Sequence, residues 1–358
     1  MMRWPWLQAL SQPEVSAGWT LAEWQVAVRQ TRRLRLLARL AESIAGAGLF
    51  DSVPEPVAQI LRSEQLISSY RQRLVSWAAT CIARTLVDLN APLVLLKGSA
   101  YQAQRLPISA GRLPSDLDIL VPRSALAQAL QALKSAGWEE AELDDHDRRY
   151  YHEWSHEVPP MRHGSHPIEL DLHHNILPPL GSVTIDMQAL LAECRPSEWP
   201  GWSVLSPCDQ VLHSAAHLFF DSEPLERVRD LVDLDGLLRH HAAADERFWP
   251  ALAHRAEQLG LVEPLLLCCH FCNRWLATPI PAPMQGRLRS VDAWHRLLRL
   301  LFDALLAPAD LDRPRPLAQR LARTLVLWRY HLRRMPLRLL LPHLWHKVRA
   351  ARTFTSDR

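Results

Sequence analysis

The pattern of hydrophobic and polar positions separates a centre of short apolar runs from helical stretches on both sides. Apolar residues recur at helical spacing over residues 21–45 and 57–90, and prolines interrupt the chain between them. The runs 93–96 and 119–121 are short and apolar, which is typical of buried strands. Helical periodicity returns later and predicts helices at about 207–220, 224–241, 246–259, 262–276, 287–307, 315–333 and 337–352.

The stretch between these two parts adds further short elements. Ser124 suits the N-cap and Gly137 the C-terminal cap of a helix over 125–136. Strands are expected at 138–143, at 148–158 paired as a hairpin with 166–173, and at 202–205. The pattern predicts an α+β fold, a small mixed sheet flanked by helical regions. The expected regions are 1–90 (helical), 91–205 (core), 206–278 (helical, packed on the core) and 284–358 (basic, helical).

Composition indicates an ordinary globular protein. The 358 residues are 48% hydrophobic and 22% charged, and the net charge of +3 does not by itself indicate a nucleic-acid partner. Only 12 glycines accompany abundant Leu, Ala and Arg, which favours helix. Six cysteines show no disulfide framework, no signal peptide is evident, and no apolar run is long enough to span a membrane. We therefore expect a cytoplasmic protein, with at most peripheral contact to the inner membrane face.

A glycine-serine turn follows the first apolar run. Lys97, Gly98 and Ser99 come directly after it and precede a segment that can start a helix. Glycine permits a tight turn and close approach of a ligand to the backbone, and the free N–H groups of a helix start bind phosphate. Ser99 could donate to a phosphate or cap the helix. Lys97 could meet a triphosphate or be an exposed lysine at a strand end.

Two aspartates lead into the second apolar run. Asp116 and Asp118 share one face of a strand, because side chains at i and i+2 point the same way. Adjacent carboxylates repel each other unless a cation lies between them, and Mg²⁺ is commonly held by one or two carboxylates plus substrate phosphates. A phosphate-binding turn followed by this strand predicts metal-assisted nucleotidyl transfer.

These segments resemble a known family. LKGS at 96–99 with DLD at 116–118 resembles the signature of the DNA polymerase beta-type nucleotidyltransferase superfamily. With Arg112 four residues before the first aspartate, the likeness narrows to the bacterial "uncharacterised nucleotidyltransferase" family and extends more loosely over 60–275. The resemblance implies Mg²⁺ or Mn²⁺, an NTP substrate and pyrophosphate release. It also implies a frequent association with exopolysaccharide or protein-sorting gene clusters, but no particular acceptor.

The superfamily pattern requires a third carboxylate on a neighbouring strand. Alternation in the stretch 168–173 puts Glu169, Asp171 and His173 on one face and apolar residues on the other. Asp171 matches the narrow family better, and Glu169 is the second choice. Either could instead face solvent on a half-exposed strand. The resemblance also implies that Arg112 neutralises phosphate charge. His173 shares the face of Asp171, which places it near the site as a supporting group or a base.

Two other clusters of possible metal ligands have simpler interpretations. His213 and His217 have a chelating i, i+4 spacing, but their neighbours are apolar, so a helix packed beside the active site is preferred. Cys268, Cys269 and Cys272 could bind zinc, but no second Cys-x-x-Cys accompanies them. We interpret these cysteines as buried small hydrophobic residues.

Two basic stretches could contact polyanions or membranes. Residues 313–352 contain Arg and Lys but no Asp or Glu, and leucines and tryptophans are interleaved with them. Such helices bind anionic membrane surfaces or RNA, membrane being preferred, or they dock on the body with solvated arginines. An N-terminal basic face could touch a polyanion, although a solvated face is preferred; it comprises Arg29, Arg32, Arg33, Arg35 and Arg39.

The sequence therefore predicts a nucleotidyltransferase with a defined set of site residues. Asp116 and Asp118, with Asp171 or Glu169, would hold the metal, and the turn at 97–99 with Arg112 would bind the NTP. The acceptor is open between a sugar phosphate, a protein and tRNA, and a toxin-like enzyme acting on tRNA or protein is included. The alternative is a non-catalytic nucleotide-binding or scaffold protein that retains the fold.

Overall fold

A mixed sheet lies at the centre of the protein. The structure, a computed structural model, describes residues 4–142, 155–178, 183–310 and 312–334. In this part of the chain the strands are β1 (Val94–Leu95), β2 (Asp116–Leu120), β3 (Trp138–Glu140), β4 (Met161–His163), β5 (His166–His173), β6 (Arg195–Pro196) and β7 (Ser203–Val204). Their order across the sheet is β3-β4-β5-β2-β1-β7-β6. β2 runs parallel to β5 and β1 parallel to β7, while the other neighbouring pairs are antiparallel.

Helices surround this sheet and account for 61% of the structure, which confirms the α+β prediction. In chain order they are α1 (Pro5–Ala9), α2 (Leu21–Arg33), α3 (Leu37–Gly46), α4 (Glu55–Thr85), α5 (Lys97–Ala103), α6 (Leu126–Ser135), α7 (Met187–Ala192), α8 (Pro207–Phe219), α9 (Val228–Ala244), α10 (Phe248–Gln258), α11 (Val262–Leu276), α12 (Ala282–Arg289), α13 (Ala293–Leu306) and α14 (Leu317–Arg334). The predicted helix 337–352 lies outside the described residues.

The parallel pair β2–β5 forms the middle of the sheet. Leu117 lies opposite Leu170 and Ile119 opposite Leu172, and all four side chains are fully buried. Because successive strand residues point to opposite faces, the polar residues between them share the other face. The alternation in the sequence therefore fixes which side of these strands contacts the core.

The hairpin differs from its predicted position. We expected 148–158 to pair with 166–173, but β4 pairs with β5 across the turn at 164–165. Upstream of β4, Glu157 still forms an isolated bridge with His173. Pro159 and Pro160 separate this bridge from β4, since proline has no N–H for the ladder. Residues 148–154 lie outside the described part of the chain.

Three predicted helices have different limits. The stretch 21–45 forms two helices, because Arg35 takes a left-handed conformation with φ of 58°. The bend brings the Arg35 guanidinium within 3.3 Å of the Leu113 carbonyl, in the loop before β2. α4 ends at Thr85, five residues before the predicted end. The stretch 287–307 includes the end of α12 and all of α13, and the Asp292 side chain caps the latter.

One hydrophobic cluster connects most of the structure. It contains apolar side chains from α1, α4, the sheet, α8–α11, α13 and α14. Cys268, Cys269 and Cys272 are buried on α11 and have free thiols, as predicted. Within the described residues, no helix is long and apolar enough to cross a membrane.

Most of the described arginines of the two basic stretches are exposed, and several of them pair with acids of the protein. Arg29 pairs with Asp312 and Arg33 with Glu226. On α14, Arg329 and Arg333 both pair with Glu263, whereas leucines such as Leu321 are exposed. Arg29 and Arg33 are exposed, as the preferred solvated face predicts, whereas Arg329 is buried and Arg333 partly buried where α14 packs on the body. The remaining residues 335–352 of the C-terminal basic stretch lie outside the described part.

Candidate active site

A cleft of about 250 Å³ opens between strands β2 and β5 and helices α8 and α9. Five of the eight site residues predicted from the sequence line it: Lys97, Arg112, Asp116, Asp118 and Asp171. They come from α5, the loop before β2, β2 itself and β5, and the parallel pairing of β2 and β5 joins the two aspartate strands. The structure thus brings residues 74 positions apart in sequence into one cleft.

Asp118 is the most enclosed acid on the cleft floor. Its side chain is 8% exposed, and its Oδ1 accepts a hydrogen bond of 2.8 Å from Lys97 Nζ. His173 Nε2 lies 3.2 Å from the same oxygen. Burial alone would raise the pKa of Asp118, but Lys97 and His173 hold this pKa well below its usual range. Asp118 is therefore ionised and fixed in orientation.

Lys97 occupies the junction of β1 and α5 in an uncommon backbone conformation. Its φ is 45°, in the left-handed region that non-glycine residues rarely adopt. This conformation accompanies the salt bridge from Lys97 to Asp118 across the cleft floor. Burial would lower the pKa of Lys97, but the Asp118 carboxylate raises it above the ordinary value. The predicted phosphate ligand is thus paired with a predicted metal ligand.

Asp171 lies directly across the strand pair from Asp118. Burial raises the pKa of Asp171 to about 7, and the nearby carboxylates of Asp118, Glu157 and Asp116 contribute in the same direction. No cation among the described residues forms a salt bridge with Asp171. The cleft floor therefore holds more acidic groups than its single lysine can neutralise.

Glu169, the other candidate for the third carboxylate, lies outside the cleft. It faces Asp116 in the strand register, but its Oε2 accepts a hydrogen bond of 2.6 Å from Arg162 Nε. Arg162 is largely exposed on β4. This ion pair directs Glu169 towards solvent, so of the two candidates Asp171 alone lines the cleft.

Gly98 and Arg112 form one unit at the cleft wall. A Cβ atom on Gly98 would lie 1.7 Å from Arg112 Nη1, so only glycine leaves room for this guanidinium. Arg112 Nε donates a hydrogen bond of 2.9 Å to Asp233 Oδ2 on α9, and this pairing raises the pKa of Arg112 despite its burial. The left-handed residue of the turn is Lys97, so Gly98 is required here for space rather than for φ.

Ser99 does not reach the cleft. Its side chain is buried, and its hydroxyl donates a hydrogen bond of 2.8 Å to the Leu96 carbonyl. The Asp118 carbonyl lies 3.4 Å from the same hydroxyl. Ser99 therefore ties the start of α5 to β2. The predicted helix cap is not formed, because the Ser99 hydroxyl bonds to these carbonyls and caps no helix N–H group.

The histidines of α8 pack beside the cleft. Arg227 Nη2 donates a hydrogen bond of 2.8 Å to His217 Nδ1, and His217 lines the cleft. Burial lowers the pKa of His213 to about 3 and that of His217 well below its usual value, so both rings are neutral. Their ring centroids are 6.3 Å apart. This arrangement agrees with a helix packed beside the site.

Several residues that line the cleft were not predicted from the sequence. Asp230 and Asp233 on α9 stand three residues apart, and each directly precedes a fully buried leucine, Leu231 or Leu234. Acids next to core positions over two helical turns are a signal for buried ion pairs, and that signal was present. Glu157 comes shortly before two prolines and carried no such signal. The other missed residues lining the cleft are Tyr101, Ser214, Arg227 and Arg229.

A comparison with known protein families agrees with this geometry. The family model described as "Uncharacterised nucleotidyltransferase" matches residues 20–277, which include every strand of the sheet and every residue lining the cleft. No curated protein and no solved structure matches the chain. The match covers well over half of the sequence. The chain therefore belongs to the uncharacterised nucleotidyltransferase family.

Proposed function

We propose that the protein is a nucleotidyltransferase of the DNA polymerase beta-type superfamily that moves an NMP from an NTP to an acceptor and releases pyrophosphate. The observation that carries this proposal is the convergence of Asp116, Asp118 and Asp171 in one cleft through the parallel register of β2 and β5. The family match supports nucleotidyl transfer in general. The acceptor is a sugar phosphate, a protein or tRNA.

The donor set of the cleft floor fits a hard divalent cation. Asp116, Asp118 and Asp171 offer only carboxylate oxygens, which Mg²⁺ and Mn²⁺ prefer. Burial first and the neighbouring carboxylates second raise the pKa of Asp171, and a bound cation would offset both effects. When bound, Mg²⁺ would neutralise charge on the reacting phosphates and orient them.

The cationic residues of the cleft would bind the nucleotide phosphates. Lys97 is placed to exchange its contact with Asp118 for a phosphate oxygen once a metal shares that carboxylate. Arg112 is fixed by Asp233 and lies against Gly98, so its planar guanidinium is preorganised for phosphate contacts. The backbone N–H groups of Gly98 and Ser99 at the start of α5 would add donors.

One observation favours the alternative, a protein that binds nucleotides without turnover. Lys97 and Arg112 are both satisfied by acids of the protein itself, Asp118 and Asp233. A ligand must replace at least the first of these contacts before Asp118 can share a cation. If the exchange does not occur, the protein keeps its fold but cannot catalyse nucleotidyl transfer.

The test measures NTP binding and pyrophosphate release with Mg²⁺ or Mn²⁺. Wild type is compared with Asp116→Ala/Asp118→Ala and with Glu169→Gln, a matched control on the same sheet but outside the cleft. We expect slow turnover in wild type and Glu169→Gln that disappears in the double variant. Metal-dependent binding without turnover would favour the non-catalytic alternative. Absence of NTP binding by wild type would overturn both.

A further inference from the structure

Two imidazoles and a carboxylate meet beside the cleft. His173 Nδ1 lies 3.3 Å from Glu157 Oε2, and His156 Nε2 lies 3.8 Å from the same oxygen. One donor atom from each of the three side chains lies within 4.8 Å of the other two. Glu157 and His173 face each other in an isolated bridge between two backbone segments. The backbone therefore holds this cluster together.

The His173 ring is buried in an unusual position between two acids. Its side chain is 1% exposed, its Nε2 approaches Asp118, and its Nδ1 hydrogen-bonds with none of the described residues. Because an ionised carboxylate only accepts hydrogen bonds, Nε2 must carry the proton towards Asp118. In a neutral ring the Nδ1 lone pair then lies 3.3 Å from a Glu157 carboxylate oxygen without a proton between them. Two electron-rich atoms in this position need a cation between them.

We infer that His156, Glu157 and His173 form a binding site for Zn²⁺, separate from the aspartates of the cleft floor. Two histidines and one glutamate are a recurrent ligand set of zinc sites, in which water completes the coordination. Zinc–ligand bonds of about 2.0–2.1 Å in a tetrahedron place neighbouring donor atoms about 3.3 Å apart. The His173–Glu157 distance of 3.3 Å matches this value, and the His156–Glu157 distance of 3.8 Å would shorten on metal binding.

Asp118 completes the arrangement as the partner of a metal-binding histidine. Histidines that bind metals through one ring nitrogen usually donate the other N–H to a carboxylate or a carbonyl, which fixes the ring. His173 has such a partner in Asp118 Oδ1 at 3.2 Å. Glu157 lines the cleft as well. Zinc at this position would fix the His173 ring and, through it, the orientation of Asp118. Zinc binding can be measured whether or not the protein transfers nucleotides.

In the competing arrangement a proton on His173 Nδ1 takes the place of the metal ion. A doubly protonated His173 would also satisfy both Asp118 and Glu157, and His156 would then have no part in the cluster's charge balance. Zinc binding requires all three side chains, whereas the protonated ring requires two. His156 therefore distinguishes the two arrangements.

The experiment is a calorimetric titration of the chelator-treated, full-length protein with Zn²⁺, supported by the visible spectrum of the Co²⁺-loaded protein. We expect one zinc ion per chain, a raised Tm on loading and a tetrahedral Co²⁺ spectrum. His156→Ala and Glu157→Gln should each weaken binding by about 100-fold or more, because a direct ligand is lost. Asp118→Ala should weaken it by about 10-fold, as for outer partners of zinc ligands.

The control is His254→Ala, which removes an exposed imidazole on α10 and should bind zinc like wild type. His156 is only partly buried, so its replacement tests the site even if variants of buried His173 fail to fold. Zinc binding that is equal in wild type and His156→Ala would assign the metal to other side chains, including the free thiols, and would overturn the inference. Absence of zinc binding by wild type would do the same and leave the protonated His173.

Discussion

Two enclosed groups of charges in this protein look alike but differ in balance. At the junction of α11 and α14, Glu263 accepts hydrogen bonds of 2.5 and 2.6 Å from Arg329 and Arg333. The cleft floor has more acids than cations, because Asp118 and Asp171 lie side by side and Lys97 pairs with Asp118. The first group has two guanidiniums for one carboxylate, and the rings of Phe220 and Phe302 lie against the guanidiniums. The second has an excess of acid.

The difference shows why an enclosed ion pair alone does not identify a functional site. Burial lifts the pKa of Glu263, but its two arginines bring it below the usual value, so the structure has already satisfied this acid. Asp171 has the reverse outcome, with a pKa of about 7. Uncompensated acids cost stability in the free protein, and such a cost is typical of sites that bind a ligand of opposite charge.

The largest expected effect separates the two groups by function. Asp118→Asn should lower nucleotidyl transfer by about 10²–10³-fold, as when one preorganised electrostatic group is removed from an active site. Glu263→Gln should leave turnover unchanged but lower the free energy of unfolding by about 3–5 kcal/mol, because two enclosed guanidiniums lose their anion. Pyrophosphate release and urea unfolding of both variants measure the two effects. A loss of turnover in folded Glu263→Gln would contradict the distinction.

The pH dependence of stability should have opposite signs at the two sites in metal-free protein. The pKa of Asp171 rises from 3.8 to about 7 on folding, so the folded state binds more protons and its stability falls as pH rises between these values. The pKa of Glu263 falls below 4.5, so its contribution is present above that pH and is lost on further acidification. The Asp171 contribution amounts to a few kcal/mol at most, at about 1.4 kcal/mol per pKa unit.

Urea unfolding with chelator at a series of pH values checks both slopes. Asp171→Asn should be more stable than wild type near neutral pH and should lose the decline between pH 4 and 7, while Glu263→Gln keeps it. Added Mg²⁺ should stabilise wild type more than Asp171→Asn. An unchanged slope in Asp171→Asn would show that another group titrates in this range.

A smaller effect is expected where Gly98 meets Arg112. Gly98→Ala puts a methyl group 1.7 Å from Arg112 Nη1, and the guanidinium is held by Asp233, so the side chain must shift. We expect a loss of about 1–3 kcal/mol in unfolding free energy, as for other overpacked sites, together with weaker NTP binding. The matched control is Gly286→Ala on α12, where a Cβ atom meets nothing within 4 Å. That change should be neutral or stabilising by up to about 1 kcal/mol.

The sequence predicted the floor of the cleft better than its wall, for a physical reason. Strand alternation has a period of two, so the facing of Asp116, Asp118 and Asp171 follows from their positions alone. The same rule cannot choose between Asp171 and Glu169, which share a face; Arg162 on another strand makes that choice. The contribution of α9 to the wall depends on how it packs against the sheet, which its own pattern does not specify.

The smallest effect is expected on the outer face of α14, the helix that carries the two arginines paired with Glu263. Leu321 and Leu325 are 55% and 52% exposed, while Arg329 on the same helix is buried against Glu263. Because these leucines bury little apolar surface, Leu321→Gln/Leu325→Gln should change unfolding free energy by no more than about 0.5 kcal/mol and leave turnover unchanged. Urea unfolding and size-exclusion chromatography of the variant check this. A clear loss of stability would contradict this expectation. It would mean that Leu321 and Leu325 are buried in solution, against another protein chain or another part of this one.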